Sequence, residues 1–325
     1  MAVKIALSTN WCNTRLESGE AIVDEALSLG FDALELGFRT TQEQVVGFKA
    51  RLDEMPVGSV HAFCPVPISA PSGHPELFTL ASFDPGARAL ARVHVANTVR
   101  FAADMGADTV VLHAGRVAFS GLFRVNDSER LREVLKKCGN DTKASKYGRL
   151  FARAKVLREA RGAKLLELFK KEVSQLVPVL EENRVTLAFE NLPYYEGFPH
   201  EGEMCRLLDE FKDAPVKAWF DTGHDRVRYM HGWTVKPSDL DKREGAFAGM
   251  HLNDVKDYFD DHLPPGKGNV DFAALLPLAG SVAHVVMEPS ASVSRDDLAE
   301  GLAHIRRIWS APAGSGCIDG AANFR

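Results

Sequence analysis

The sequence predicts an α/β protein, a (β/α)₈ TIM barrel with a helical, basic insertion after its fourth strand. Three observations carry that expectation. Short β-rich runs alternate with helical stretches from residue 3 to residue 309, the pattern of a parallel sheet covered by helices. The repeat occurs eight times, the count at which such a sheet closes on itself. Chemistry-bearing side chains stand at the ends of six different strands rather than at one crevice. The alternative, a doubly wound open sheet, expects a G-x-G-x-x-G after the first strand, and none is present.

Residues 3–8 (VKIALS) read as the first strand, and residues 19–29 place Ile22, Val23, Ala26, Leu27 and Leu29 at helical spacing before Gly30 closes the helix. Residues 33–37 (ALELG) read as the second strand, 41–54 as a helix opened by a Thr41 cap, and 57–61 (VGSVH) as the third strand. A helix over 85–105, a strand over 109–113 (TVVLH), a helix over 165–183 and a strand over 185–190 (VTLAFE) continue the beat. Then come a helix at about 202–211, a strand at 216–220, a broken helical stretch to about 245 and a strand at 247–252. A short helix over 272–278, a strand over 283–288 (AHVVME) and a helix over 295–309 complete the pattern.

A chain of 325 residues accommodates one barrel domain over residues 1–310, with a helical insertion at 116–164 and an irregular arm at 311–325. Between residues 116 and 171 sixteen Lys or Arg stand against six Asp or Glu, a local net of +10 in a chain whose total is −5. Solvated helix faces account for such a run. Because the insertion follows a strand, it would also rise from the catalytic face, where a basic lid attracts a phosphate or carboxylate. The net charge gives no general pull toward nucleic acid, although a local basic patch can still provide one, and a homo-oligomer is allowed. No apolar run approaches the ~18 residues of a membrane span, and the first ten residues lack a secretory layout. The cytosol is the expected compartment. Five scattered cysteines without a C-x-x-C pair indicate neither a disulfide framework nor a thiolate metal site.

The strand-end residues are His61, His113, Glu190, Asp221, His251 and Glu288. Singly each has an ordinary explanation, a helix cap or a satisfied polar group. The last four lie 31, 30 and 37 residues apart, about one βα unit each, so a barrel brings them together. Three carboxylates and an imidazole form a hard O/N donor set for one divalent cation, Mn²⁺, Mg²⁺, Co²⁺ or Zn²⁺. Without a cation the carboxylates would raise one another's pKa values. The stretch from Ala248 to Phe272 adds Asp254, Asp260 and His262 on a loop turned by Pro264, Pro265, Gly266 and Gly268.

The blocks SVHAFCP (59–65), VVLHAGR (110–116), LAFENLP (187–193), WFDTGH (219–224), GMHLND (249–254), HLPPGKGNVDF (262–272) and VVMEPS (285–290) resemble the xylose isomerase-like superfamily of TIM barrels. That group includes sugar isomerases and epimerases, inosose dehydratases and the endonuclease IV type of abasic-site nuclease. The resemblance implies Glu190, Asp221, His251 and Glu288 as the ligands of a single metal. Glu190 and Glu288 would be acid and base in an isomerase or epimerase that works through an enediolate of a sugar, sugar phosphate or polyol. His224 matches a substrate-binding position, with His61, His113, Lys256, Asp260 and His262 as further candidates. A dehydratase, or a lyase or hydratase of keto-glycosides, would use the same site. The ketose epimerases carry an arginine soon after the seventh-strand histidine; here that segment reads DVKDYFDDH, with Lys256 its only base. The endonuclease IV type implies instead three Zn²⁺ and attack on a phosphodiester, with His61, His113, His224 and the Asp260-x-His262 pair as added ligands and the basic insertion on DNA. A barrel that only binds a ligand is a third reading, and the presence of both Glu190 and Glu288 argues against it.

Overall fold

The computed structural model describes residues 3–117 and 128–310. The irregular arm read at 311–325 and part of the insertion therefore lie outside the described residues. The chain begins with β1 (Ala6–Ser8) and a 3₁₀ turn (Thr9–Trp11), followed by α1 (Gly19–Leu29). Ser18 caps the start of α1, and Gly30 ends it at φ 86°, in the left-handed region that glycine adopts without strain. β2 (Ala33–Leu36) leads to α2 (Gln42–Ala50), entered through a Thr41–Gln44 capping box. The helix ends four residues short of the expected 54, in a turn over 51–54. β3 (Val57–His61) precedes α3 (Pro85–Asp104), where Asp84 caps and Pro85 supplies the preset first-turn φ.

Then follow β4 (Thr109–Leu112), the two-residue β5 (Gly115–Arg116), α4 (Ser128–Lys137) and α5 (Ser145–Asn183). β6 (Thr186–Glu190), the short β7 (Gly197–Phe198), α6 (Glu201–Glu210), β8 (Val216–Asp221) and α7 (Thr222–Met230) come next. β9 (Phe247–Leu252), a 3₁₀ turn (Ala273–Leu275), α8 (Leu276–Ala279), β10 (His284–Met287) and α9 (Arg295–Ser310) end the described chain. All eight expected strands are present. They close into one barrel in the order β1, β2, β3, β4, β6, β8, β9, β10, with β10 back against β1 and every pairing parallel. β5 and β7 pair with each other outside it.

The main core lies between the strands and the surrounding helices, with Ile22, Leu34, Val60, Val95, Leu187 and Ile305 among its fully buried members; each such side chain contributes about 1.5–3 kcal/mol by leaving water. A separate small cluster fills the barrel interior: Ala6, Val111, Ala188, Trp219 and Val286. Trp219 needs room, and the neighbouring strand supplies it at Gly249, where a Cβ would collide with the indole ring. The ring of Trp219 meets that of His251 edge-on at 5.0 Å, so the packed interior is also the floor of the site above it.

The insertion departs from expectation in one respect. The helix expected to start at residue 165 starts at Ser145 and runs 39 residues without a break. Its buried face is Tyr147, Ala154, Arg158, Gly162, Leu165, Leu166 and Phe169, and the charges between these positions mask the helical period. Arg158 explains one of the masked positions. It is buried and pairs with Glu203, with Nη1–Oε1 at 2.6 Å and Nη2–Oε2 at 2.8 Å. A second apolar cluster joins Leu131, Val134 and Leu135 of α4 and Tyr147 of α5 to Tyr195 and Trp233, from the connections after β6 and β8. Among the described residues, no helix is long and apolar enough to cross a membrane.

Candidate metal centre

The parallel register sets the site. Glu190 and Asp221 are the last residues of β6 and β8, His61 is the last of β3, and His113 and Glu288 each follow a strand by one residue. Asp221 lies directly opposite His251 in the β8–β9 ladder. The Asp221 carboxylate also accepts from His224 N at 2.7 Å, so one side chain caps α7 and orients the residue three positions on.

Nine side chains converge in three groups. In the first, Glu190 Oε2 lies 3.2 Å from His61 Nε2 and 3.1 Å from His113 Nε2. The second contains Glu190, Asp221, His251 and Glu288: His251 Nδ1 is 3.3 Å from Glu190 Oε1, 3.3 Å from Glu288 Oε2 and 3.6 Å from Asp221 Oδ2. In the third, Asp260 Oδ2 is 3.1 Å from His224 Nε2 and 3.0 Å from His262 Nε2. Within each group the candidate donor atoms all fall within 4.8 Å of one another. Glu190 belongs to two groups, one carboxylate oxygen turned to each. Of the residues expected to touch substrate, His61, His113, His224, Asp260 and His262 are thus gathered into donor groups. Lys256, the remaining candidate, is exposed.

Four of the five imidazoles are held as metal-binding imidazoles are, with one ring nitrogen anchored and the other facing the group. His61 Nδ1 bonds Ala62 O at 2.9 Å, His224 Nδ1 bonds Asn191 O at 2.8 Å, and His262 Nδ1 bonds Glu288 O at 3.0 Å. His251 is anchored by Glu35, whose two oxygens lie 3.1 and 3.2 Å from Nε2. Asn253 donates to Asp221 Oδ2, and Asn10 donates to Glu288 Oε1 at 3.2 Å. Sequence reasoning missed Glu35, Asn10 and Asn253. Glu35 left a signal, a carboxylate inside the apolar strand ALELG, and it is completely buried. Asn253 lies in the block GMHLND, whereas Asn10 left none.

The electrostatics are those of crowded buried charge. Burial lifts the Asp221 carboxyl to about 6 against the pull of His224, with Glu190 adding to the rise. Burial would likewise lift Glu190, but His113 and His251 overcome it and hold its pKa well below the carboxylate range. Burial lowers His262, yet Asp260 and Glu288 outweigh it and raise the imidazole to about 10. His224 and His251 are driven up in the same way, by carboxylates that outweigh burial. The carboxylates thus demand nearby positive charge, which protons on imidazoles or divalent cations supply. The donor set is all oxygen and imidazole nitrogen, and it fits a metal.

The sequence signature of the xylose isomerase-like TIM barrel matches residues 23–308, most of the chain. The chain belongs to that family. Within this barrel fold, a D-tagatose 3-epimerase-like protein is 18% identical, with 94% of this chain and 96% of that one covered at a TM-score of 0.61. The 3-keto-D-glucoside 4-epimerase of E. coli is 15% identical over 94% and 99% of the two chains, with a TM-score of 0.64. A protein from Thermus thermophilus, in a structure from crystals soaked with zinc chloride, is 21% identical over 95% and 98%, with a TM-score of 0.56. At these identities the likeness is one of fold. An uncharacterized protein of Methanocaldococcus jannaschii is 28% identical over 109 residues, 34% of this chain and 40% of that relative's length.

Proposed function

We propose that this family member is a multinuclear metalloenzyme that hydrolyses a phosphate ester, chemistry of the endonuclease IV type. The sharing of Glu190 carries the proposal: its two oxygens face two donor groups, and a third group, His224, Asp260 and His262, stands beside them. Residues that only contact a sugar would point into open space, whereas these point at one another with little or no solvent exposure at His61, His113 and His224. Glu190, Asp221, His251 and Glu288 would hold one divalent cation, His61 and His113 with Glu190 a second, and the remaining three residues a third. Cations held there would supply Lewis acidity toward phosphoryl oxygens and acidify a water. Glu35 and Asn253 keep His251 and Asp221 turned inward. Asn10 likewise holds Glu288, at 6% the most exposed of the quartet, through Oε1.

The test is metal content together with turnover. We expect three divalent ions per chain and hydrolysis of bis(p-nitrophenyl) phosphate that a chelator abolishes. One ion per chain and no hydrolysis would overturn the proposal.

A second reading has its own support. The quartet alone matches a single-metal sugar isomerase or epimerase, and five structures of like fold, the two described above among them, are named as epimerases or epimerase-like. Glu190 and Glu288 would then move a substrate C–H proton through an enediolate. It predicts wash-in of solvent deuterium into a ketose, lost in Glu190→Gln and Glu288→Gln; absence of any such exchange would dismiss it.

A further inference from the structure

The loop after β9 has no arginine, and its one base before His262, Lys256, is exposed. A guanidinium nevertheless stands beside that loop, supplied by the insertion. Arg132 of α4 has its Cζ 6.0 Å from the ring of Phe259, the residue before Asp260, and 5.7 Å from the rings of Tyr194 and Trp233. Those three rings come from the connections after β9, β6 and β8, so Arg132 sits where the loops around the metal centre meet.

Its donors are largely unused. Among the described residues Arg132 makes one hydrogen bond, from Nη2 to Pro193 O at 2.8 Å, and its Nε is buried without an acceptor. Arg116 makes the contrast. It stacks on Tyr194 at 3.6 Å, but Glu76 at 2.9 Å and Glu196 at 3.8 Å neutralise it. Among the described residues no ion pair involves Arg132, and burial works against its charge; Tyr194, Glu196 and Asp260 oppose that without direct contact to a carboxylate, and Arg116 adds to it. A half-buried cation without an anionic partner is unfavourable unless a ligand supplies the partner. Its planar fork suits a phosphate, which takes two parallel N–H bonds.

We propose that Arg132 is a substrate-recognition residue that binds a phosphoryl group at the mouth of the barrel, with the exposed ring of Phe259 as the apolar surface beside it. The identity of the anion rests on the function proposed above; the unused donors of the guanidinium do not.

The test measures binding of inorganic phosphate to the metal-loaded full chain by calorimetry. Arg132→Gln and Arg132→Met should each raise the phosphate Kd about tenfold or more, and Arg132→Lys by less, all without change in metal content. Lys256→Gln should leave the Kd unchanged. Arg132→Met keeps an apolar stem among the three rings, so it preserves the packing of α4. A wild-type Kd in Arg132→Met, or an equal loss in Lys256→Gln, would overturn the assignment. One metal per chain with phosphate still dependent on Arg132 would sink the three-cation function alone, whereas three metals with phosphate indifferent to Arg132 would sink this proposal alone.

Discussion

Replacing Glu190 by Gln tests the shared carboxylate directly. Glu190 Oε2 faces His61 and His113, and Oε1 faces His251 and its partners, so one substitution removes a charged donor from two groups at once. Asp260→Asn alters one group only. A cation at a thousandfold excess over its Kd stabilises the native state by about 4 kcal/mol, and a hundredfold loss of affinity reduces this to about 1.4 kcal/mol. The loss is about 2.7 kcal/mol per group, hence about 5 kcal/mol for Glu190→Gln. At about 2.1 cal/mol/K per residue, a chain of 325 residues unfolds with an entropy of about 0.7 kcal/mol/K. The metal-dependent part of Tm should therefore fall by about 8 °C in Glu190→Gln and about 4 °C in Asp260→Asn. Differential scanning fluorimetry with and without chelator isolates that part, because removing a crowded carboxylate also changes the metal-free protein. Metal analysis by mass spectrometry gives the count. Equal shifts in the two variants, or a full metal count in Glu190→Gln, would refute the sharing of Glu190.

Arg158→Met should destabilise the chain by about 3–5 kcal/mol in urea denaturation, since it leaves the buried Glu203 carboxylate without its partner, and Glu203→Gln in the same chain should recover part of the loss. Glu35→Gln should weaken metal binding about 10–100-fold by releasing His251 Nε2, with little effect on the fold seen by circular dichroism. His231 gives a pH dependence. Burial lowers its pKa to about 4, its Nδ1 bonds Val227 O at 2.8 Å, and its Nε2 is buried without a partner. The unfolded imidazole titrates near about 6.5, so the unfolded chain takes up this proton first. Its contribution is complete above about pH 6.5 and is lost as the pH falls toward about 4, on the order of 3 kcal/mol in total. Urea midpoints in chelator at pH 7.5 and 5 should therefore converge in His231→Gln relative to the parent chain; an unchanged difference would contradict this.

The barrel and the convergence of four residues of the candidate site are legible because they depend on local periodicity and on a rule of position. An apolar strand ending in Glu190, Asp221, His251 or Glu288 announces itself in any βα repeat, since the strands share a direction and their carboxyl ends a face. The start of α5 was not legible: a buried Arg158 reads as a solvated charge until its partner Glu203, distant in sequence, is beside it. The same holds for Glu35, Asn10 and Asn253, whose roles consist of contacts with residues on other strands. The sequence by itself determined the fold class and the inventory of donors, including the Asp260–His262 pair in the loop after β9. Only the tertiary structure decided how those donors divide, because grouping is a matter of a few ångströms between side chains on different strands. It set Glu190 between two groups, joined His224 to Asp260 and His262, and brought Arg132 from the insertion to the edge of the site.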